Sequence, residues 1–188
     1  MAALAGLLSV VGTVPYIKDM LYGTTRPNVV SWSLWWLIQI VLMTAQFAAG
    51  ASYSIILPIM GLILITIIVV LGLRGYGYKK YGPFDFACGA LVLLALVLWK
   101  FTSDPLAAIW LTVAADFFAS VPTFIKAYRD PKSESWLAYF IVIFSALAGF
   151  LSSTIYDVAN LLWPVYIVLG NSLLVALIFF GSRKKRKR

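Results

Sequence analysis

Asp116, in the run L-T-V-A-A-D-F-F-A-S-V-P, is the one acidic residue that falls deep within an apolar stretch. Counted from Pro105 at about 1.5 Å per residue it lies roughly 17 Å along a helix, near the middle of a bilayer. An ionised carboxylate at that depth costs several kcal/mol without compensation, so the residue is expected to carry a proton or to pair with a cation. A carboxyl that only locks its helix to a neighbour by hydrogen bonding is the structural alternative. Asn171 reaches a similar depth in another apolar run, Gln39 and Ser145 are central in two more, and Ser9 and Thr13 fall along the first. Polar side chains at such depth are costly unless they line water or find partners, which marks a candidate solute path. Asn160 and Trp163, near the outer end of the run holding Asn171, are candidates for an outer vestibule, although interfacial anchoring explains Trp163 equally well. The candidate binding set is thus Asp116, Asn171, Gln39, Ser145, Asn160 and Trp163. No histidine is present, which removes His-based triads, imidazole metal sites and histidine proton relays. No nucleophile and base pair lies at depth either, so we expect neither an enzyme nor a metal or cofactor.

The elements that must hold these residues follow from composition. With 62% hydrophobic and 12% charged residues, the 188-residue chain has too little polar surface for a water-facing fold. Spans of about 20 residues make roughly seven helices and leave no room for a soluble domain. The expected helices run from Met1 to Met20, Val29 to Ala48, the turn Ala49–Ser52 to Leu73, Phe84 to Phe101, Pro105 to Ala127, Ser135 to Leu151 and Asn160 to Phe180. The first is read as a retained helix and not a signal peptide, because no basic segment precedes it. Cys88 is the single cysteine, so no internal disulfide forms. The loop G-Y-G-Y-K-K-Y-G lacks the strand and the spacing of a phosphate cradle. Trp32, Trp35 and Trp136 are read as interfacial belt residues, with Trp36 one turn deeper.

Of the 15 lysines and arginines, all but Lys100 fall in connections of one sidedness: Lys18 and Arg26, then Arg74, Lys79 and Lys80, then Lys126, Arg129 and Lys132, and finally the tail 183–188. This places the N-terminus outside and the C-terminus in the cytoplasm. The same asymmetry accounts for the formal charge of +8 without a nucleic-acid partner. The tail can in addition bind anionic lipid, and a plasma or inner membrane is the default location.

The chain also repeats itself. Val14-Pro15 and Ile17-Lys18 are answered by Val121-Pro122 and Ile125-Lys126, and the P-x-x-x-S-W spacing of Pro27 to Trp32 by Pro131 to Trp136. Leu57-Pro58 is answered by Trp163-Pro164 and Arg74 by Arg183, at offsets of 104 to 109 residues. Two triplets of helices follow, residues 1–73 and 103–181, joined by a loop and linker helix over 74–102 and followed by the basic tail 182–188. Three is an odd number, so the linker helix is what lets both triplets enter the membrane the same way, as parallel repeats. Pro15 and Pro122 each free a backbone carbonyl in the cytoplasmic half of a helix and are candidate hinges.

This all-α polytopic pattern, with S-V-P-T-F-I-K-A-Y-R-D-P-K-S-E-S-W and V-Y-I-V-L at Val165–Leu169, resembles the SWEET and PQ-loop superfamily of three-plus-one-plus-three-helix transporters. Tyr16 and Thr123 stand where a PQ-loop protein has glutamine after the proline. The resemblance implies transport of a small polar solute, sugar-like or amino-acid-like, by alternating access, with proton coupling through Asp116 as one form of it. The alternative is a receptor or cargo-sorting protein of the KDEL-receptor type, which shares the helical plan. The partners implied are a small-molecule solute, protons and the lipid bilayer; seven helices can complete a pathway alone, and an oligomer is left open. A reporter enzyme that works only in the cytoplasm should be active when fused after Arg188 and inactive when inserted at Ser103; the reverse pattern would overturn the orientation.

Overall fold

Local signals determine where each helix starts and stops. The computed structural model describes residues 2–48, 56–151, 156 and 158–186, and these form seven α-helices with no β-strand among the described residues. Helix α1, Ala2–Leu21, stops where Gly23 takes φ 73°, a backbone that favours glycine. Helix α2, Val29–Ala48, begins after Asn28, whose Oδ1 accepts the Ser31 N–H at 3.2 Å as an N-cap. Helix α3, Ile56–Leu71, runs into a wide turn, Gly72–Tyr76, closed by Gly77 N–H donating to the Gly72 carbonyl at 3.2 Å. Helix α4, Pro83–Phe101, has proline in its first turn and the Asp85 carboxylate accepting Gly82 N–H at 2.7 Å. Helix α5, Pro105–Arg129, is capped by Asp104, which accepts Leu106 N–H at 2.9 Å. A single 3₁₀ turn, Pro131–Ser133, leads into α6, Trp136–Leu151, and α7 covers Val158–Arg186.

These bounds shift the expected ones in instructive ways. Helix α7 does not stop at Phe180 but carries on through Arg186, because no breaker follows Gly181 and basic residues favour a helix C-terminus. Pro58 falls within α3. The expected turn Ala49–Ser52 lies outside the described residues.

Helix α1 packs on α3 and α6, and α5 on α7 and α2; α2 also packs on α3, and α6 on α7. Helix α4 rests against α5 and α2. Its Leu93, Leu94, Val97 and Leu98 point outward and are exposed, as are Phe140 and Phe144 on α6 and Leu169 and Leu173 on α7. Such a continuous apolar exterior suits lipid and not water. Among the described residues, three stretches are long and apolar enough to cross a membrane: Pro83–Phe101, Leu106–Arg129 and Leu161–Ser182.

One end of the bundle is polar and closely joined. Arg26 N–H donates to the Ser133 carbonyl at 2.8 Å and Tyr78 N–H to the Pro27 carbonyl at 2.8 Å, so the α1–α2, α3–α4 and α5–α6 connections meet there. Helix α7 arrives at the same end: a Cβ on Gly181 would stand 2.4 Å from the Tyr128 carbonyl oxygen, so only glycine permits this approach to α5. Within this end Lys126 Nζ and Glu134 Oε1 pair at 2.6 Å, their side chains 1% and 0% exposed. Lys126 also donates to the carbonyls of Arg26 and Ser133 and stands 5.4 Å from the centre of the Tyr78 ring. Glu134 Oε2 accepts the hydroxyls of Tyr16 at 3.1 Å and Tyr139 at 2.8 Å. Lys126, which the sequence places among the cytoplasm-facing charges, is therefore interior, and Tyr16 is a partner of the same pair.

A buried pair whose remaining donors and acceptors are satisfied is costly to halve, since the partner left behind is an uncompensated charge. Glu134→Ala should lower unfolding stability in detergent by about 3–5 kcal/mol, and Lys126→Met combined with Glu134→Leu should lose much less than Glu134→Ala alone. Equal losses would mean that the pair itself, and not the stranded lysine, carries the effect.

Candidate functional site

A cavity of about 590 Å³ opens in the centre of the bundle, bounded by six helices, with no residue of α4 among its described lining. Its volume is in the range of small-molecule sites. Each of four helices contributes one stripe at helical spacing: Trp32, Trp35 and Gln39 from α2; Asp116, Ser120 and Phe124 from α5; Tyr139, Val142 and Ala146, with Ser145, from α6; Trp163, Tyr166, Gly170 and Asn171 from α7. Thr13 of α1 and Ile65 of α3 complete the wall.

Five of the six candidate binding residues, Asp116, Asn171, Gln39, Ser145 and Trp163, thus meet around one space. The side chain of Asn160 lies outside what the structure describes, as does that of Ser9. Thr13 lines the cavity. Pro15 and Pro122 are away from the cavity lining, inside α1 and α5, both of which run as single helices through them.

Asp116 has two partners, both on the same oxygen. Tyr166 donates its hydroxyl to Oδ2 at 2.7 Å, and Ser120 lies 3.4 Å from Oδ2 while donating to the Asp116 carbonyl at 2.8 Å. Among the described residues Oδ1 accepts no hydrogen bond. Asn171 turns its Nδ2 back to its own helix, donating to the Ile167 carbonyl at 2.9 Å and leaving its Oδ1 as an acceptor. The Trp163 and Tyr166 rings lie 5.9 Å apart beside the carboxylate.

Toward the polar end, Trp32, Phe124 and Tyr139 line the cavity, and Tyr139 donates its hydroxyl to Glu134. The cavity and the buried ion pair therefore share one side chain. Trp32 and Trp35, expected as interfacial anchors, instead line the interior with ring centres 5.2 Å apart. Trp36 turns to α3 and donates to Thr66 Oγ1 at 2.9 Å. Trp136 alone of the four is well exposed, against Phe140 and Phe179.

Tyr166, Ser120 and Phe124 join the candidate residues only in the structure. Ser120 and Phe124 had a signal, since they follow Asp116 at i+4 and i+8 on one helix face. Tyr166 had a weaker one, at i+3 from the candidate Trp163 on α7, a helix whose faces are otherwise hard to tell apart because most of it is apolar.

No family model, characterised protein or solved structure matches this chain.

A water-filled cavity admits small polar reagents, whereas the outer face of α4 meets detergent or lipid. In a Cys88→Ser background, Gln39→Cys and Asn171→Cys should react with a small charged thiol reagent at least tenfold faster than Leu94→Cys. Equal protection of all three would mean the central space is closed to water.

Proposed function

We propose that the chain moves a small polar solute across a membrane by alternating access, with Asp116 as the group that couples movement to a proton or a cation. The observation that carries this reading is the central cavity itself, walled by both halves of the chain and holding a carboxylate at mid-depth. Transporters built from repeats hold solute in this position, at the interface between the repeats.

The duplication read from the sequence supports it further. With α1 set against α5, α2 against α6 and α3 against α7, the helix packings fall into matching pairs: α2–α3 with α6–α7, α1–α3 with α5–α7, and α1–α6 with α5–α2. The same register pairs residues across the cavity. Thr13 corresponds to Ser120, Trp35 to Tyr139 and Ile65 to Asn171, at offsets within those of the sequence repeat, and all six line the space. Two equivalent halves around one site can rock against each other with the site as pivot, and Pro15 and Pro122 stand at equivalent places to bend. Helix α4 is the linker in this scheme. The likeness to the SWEET and PQ-loop superfamily rests on the same plan, with the polar end of the bundle in the cytoplasm.

Uptake of a mixed panel of sugars, amino acids and organic amines into proteoliposomes, with and without an imposed pH gradient, tests the proposal. Gradient-driven uptake lost in Asp116→Asn is the expected result. Gradient-independent flux in both proteins would leave a uniporter with a structural Asp116. No flux of any solute from folded protein would overturn transport in favour of a receptor of the KDEL-receptor plan.

A further inference from the structure

We infer that the central cavity selects a monovalent organic cation, an ammonium group on an apolar or aromatic body, with Asp116 as its counter-ion. This rests on the reading of the cavity as the solute site and adds the substrate class, which the helical plan leaves open.

Charge is the first argument. Asp116 is the one charged side chain among the described lining residues, and no lysine or arginine stands opposite it. The nearest cation along α5, Lys126, is already paired with Glu134. The site therefore carries an unneutralised negative charge whenever Asp116 is ionised, in surroundings where such a charge calls for a partner. Tyr166 and Ser120 both approach Oδ2, which leaves Oδ1 toward the cavity as the acceptor for an incoming N–H.

The walls supply the second argument. Six aromatic rings line the space, from Trp32, Trp35, Phe124, Tyr139, Trp163 and Tyr166. Trp163 lies beside Tyr166, ring centres 5.9 Å apart and planes tilted by 42°, and Tyr166 is the residue that holds the carboxylate. A carboxylate next to ring faces is the combination that recognises alkylammonium groups, by ion pairing and by attraction of the cation to the ring quadrupole. The remaining ring surface suits an apolar body.

The third argument separates this ligand from a sugar. A sugar needs donors and acceptors around its whole rim, and here the Ser120 hydroxyl and the Asn171 Nδ2 donate to backbone carbonyls of their own helices, while the Gln39 amide, the Asn171 Oδ1 and the carboxylate are spread among six aromatic rings. A solute with hydroxyls on every side would leave those that meet ring faces unpaired, at a cost a compact ammonium with an apolar tail avoids.

Binding can be read on the intact, detergent-solubilised protein through tryptophan fluorescence, since three tryptophans line the cavity. The probes are 2-phenylethylamine, its trimethylammonium analogue, the neutral 3-phenylpropan-1-ol and glucose. Both cations should bind at least tenfold tighter than the alcohol, and glucose should be weaker still. Asp116→Asn should abolish the preference for the cations over the alcohol. Trp163→Leu keeps an apolar wall and removes the ring, so it should weaken the cations several-fold more than the alcohol even if Asp116→Asn fails to fold. Alcohol or glucose binding as tightly as the amines, folded protein that binds neither amine, or an unchanged preference in Asp116→Asn would each overturn the inference. Amine binding without flux in proteoliposomes would remove transport and keep the cation site; sugar flux without amine binding would do the reverse.

Discussion

The buried pair of Lys126 and Glu134 ties more of this molecule together than any other contact. Its charges cannot be left to water at the closed end of the bundle, so the chain surrounds them with what it has: two tyrosine hydroxyls from α1 and α6, two backbone carbonyls from separate connections, and the face of Tyr78. Each of these partners belongs to a different segment. Satisfying one ion pair therefore sets where α1, α5 and α6 end relative to each other and draws the α3–α4 turn in behind them. A buried pair of this kind is weak evidence for stability against an apolar replacement but a strong constraint on geometry, because only one arrangement meets every donor and acceptor.

That end of the bundle differs in kind from the centre. At the ion pair, charge is matched side chain by side chain and the space is filled. In the cavity, one carboxylate has partners on one oxygen only, and the rest of the wall is aromatic and aliphatic with a few hydroxyls and two amides. The two regions meet at Tyr139, which lines the cavity and donates to Glu134. A displacement of α6 that changed the shape of the cavity would have to carry this hydroxyl with it. This is a direct physical link between the wall of the cavity and the polar end, built from one shared hydrogen bond.

The apolar exterior and the polar interior are two consequences of the same solvent. In lipid, packing of helices gains little from the hydrophobic effect, since tails outside are as apolar as side chains inside. Association rests on close approach and on hydrogen bonds between helices, and the structure uses both. Gly181 lets α7 come against the backbone of α5, Trp36 donates to Thr66 between α2 and α3, and Tyr166 joins α7 to Asp116 on α5. Helix α4 rests outside the ring, with Leu91, Leu93, Leu94 and Leu98 turned to the surroundings.

What the amino-acid sequence determined by itself was the all-helical class, the number and order of the helices and most of their starts. These depend on composition and on local signals such as Asn28, Asp104-Pro105 and Gly23, which act within a few residues. The depth of Asp116, Asn171, Gln39 and Ser145 was also legible, because a polar residue in an apolar run is visible without knowing its neighbours. The facing of each helix was not. When every side of a helix is apolar, period carries no information, so Trp32 and Trp35 read as anchors at an interface and Tyr166 did not stand out. Lys126 read as a solvated charge for a similar reason: its partner, Glu134, is eight residues on and reaches it only after the chain has turned through Pro131–Ser133. Tertiary packing alone decided which rings and which carboxyl oxygen face the cavity, since those depend on the rotation of one helix against another.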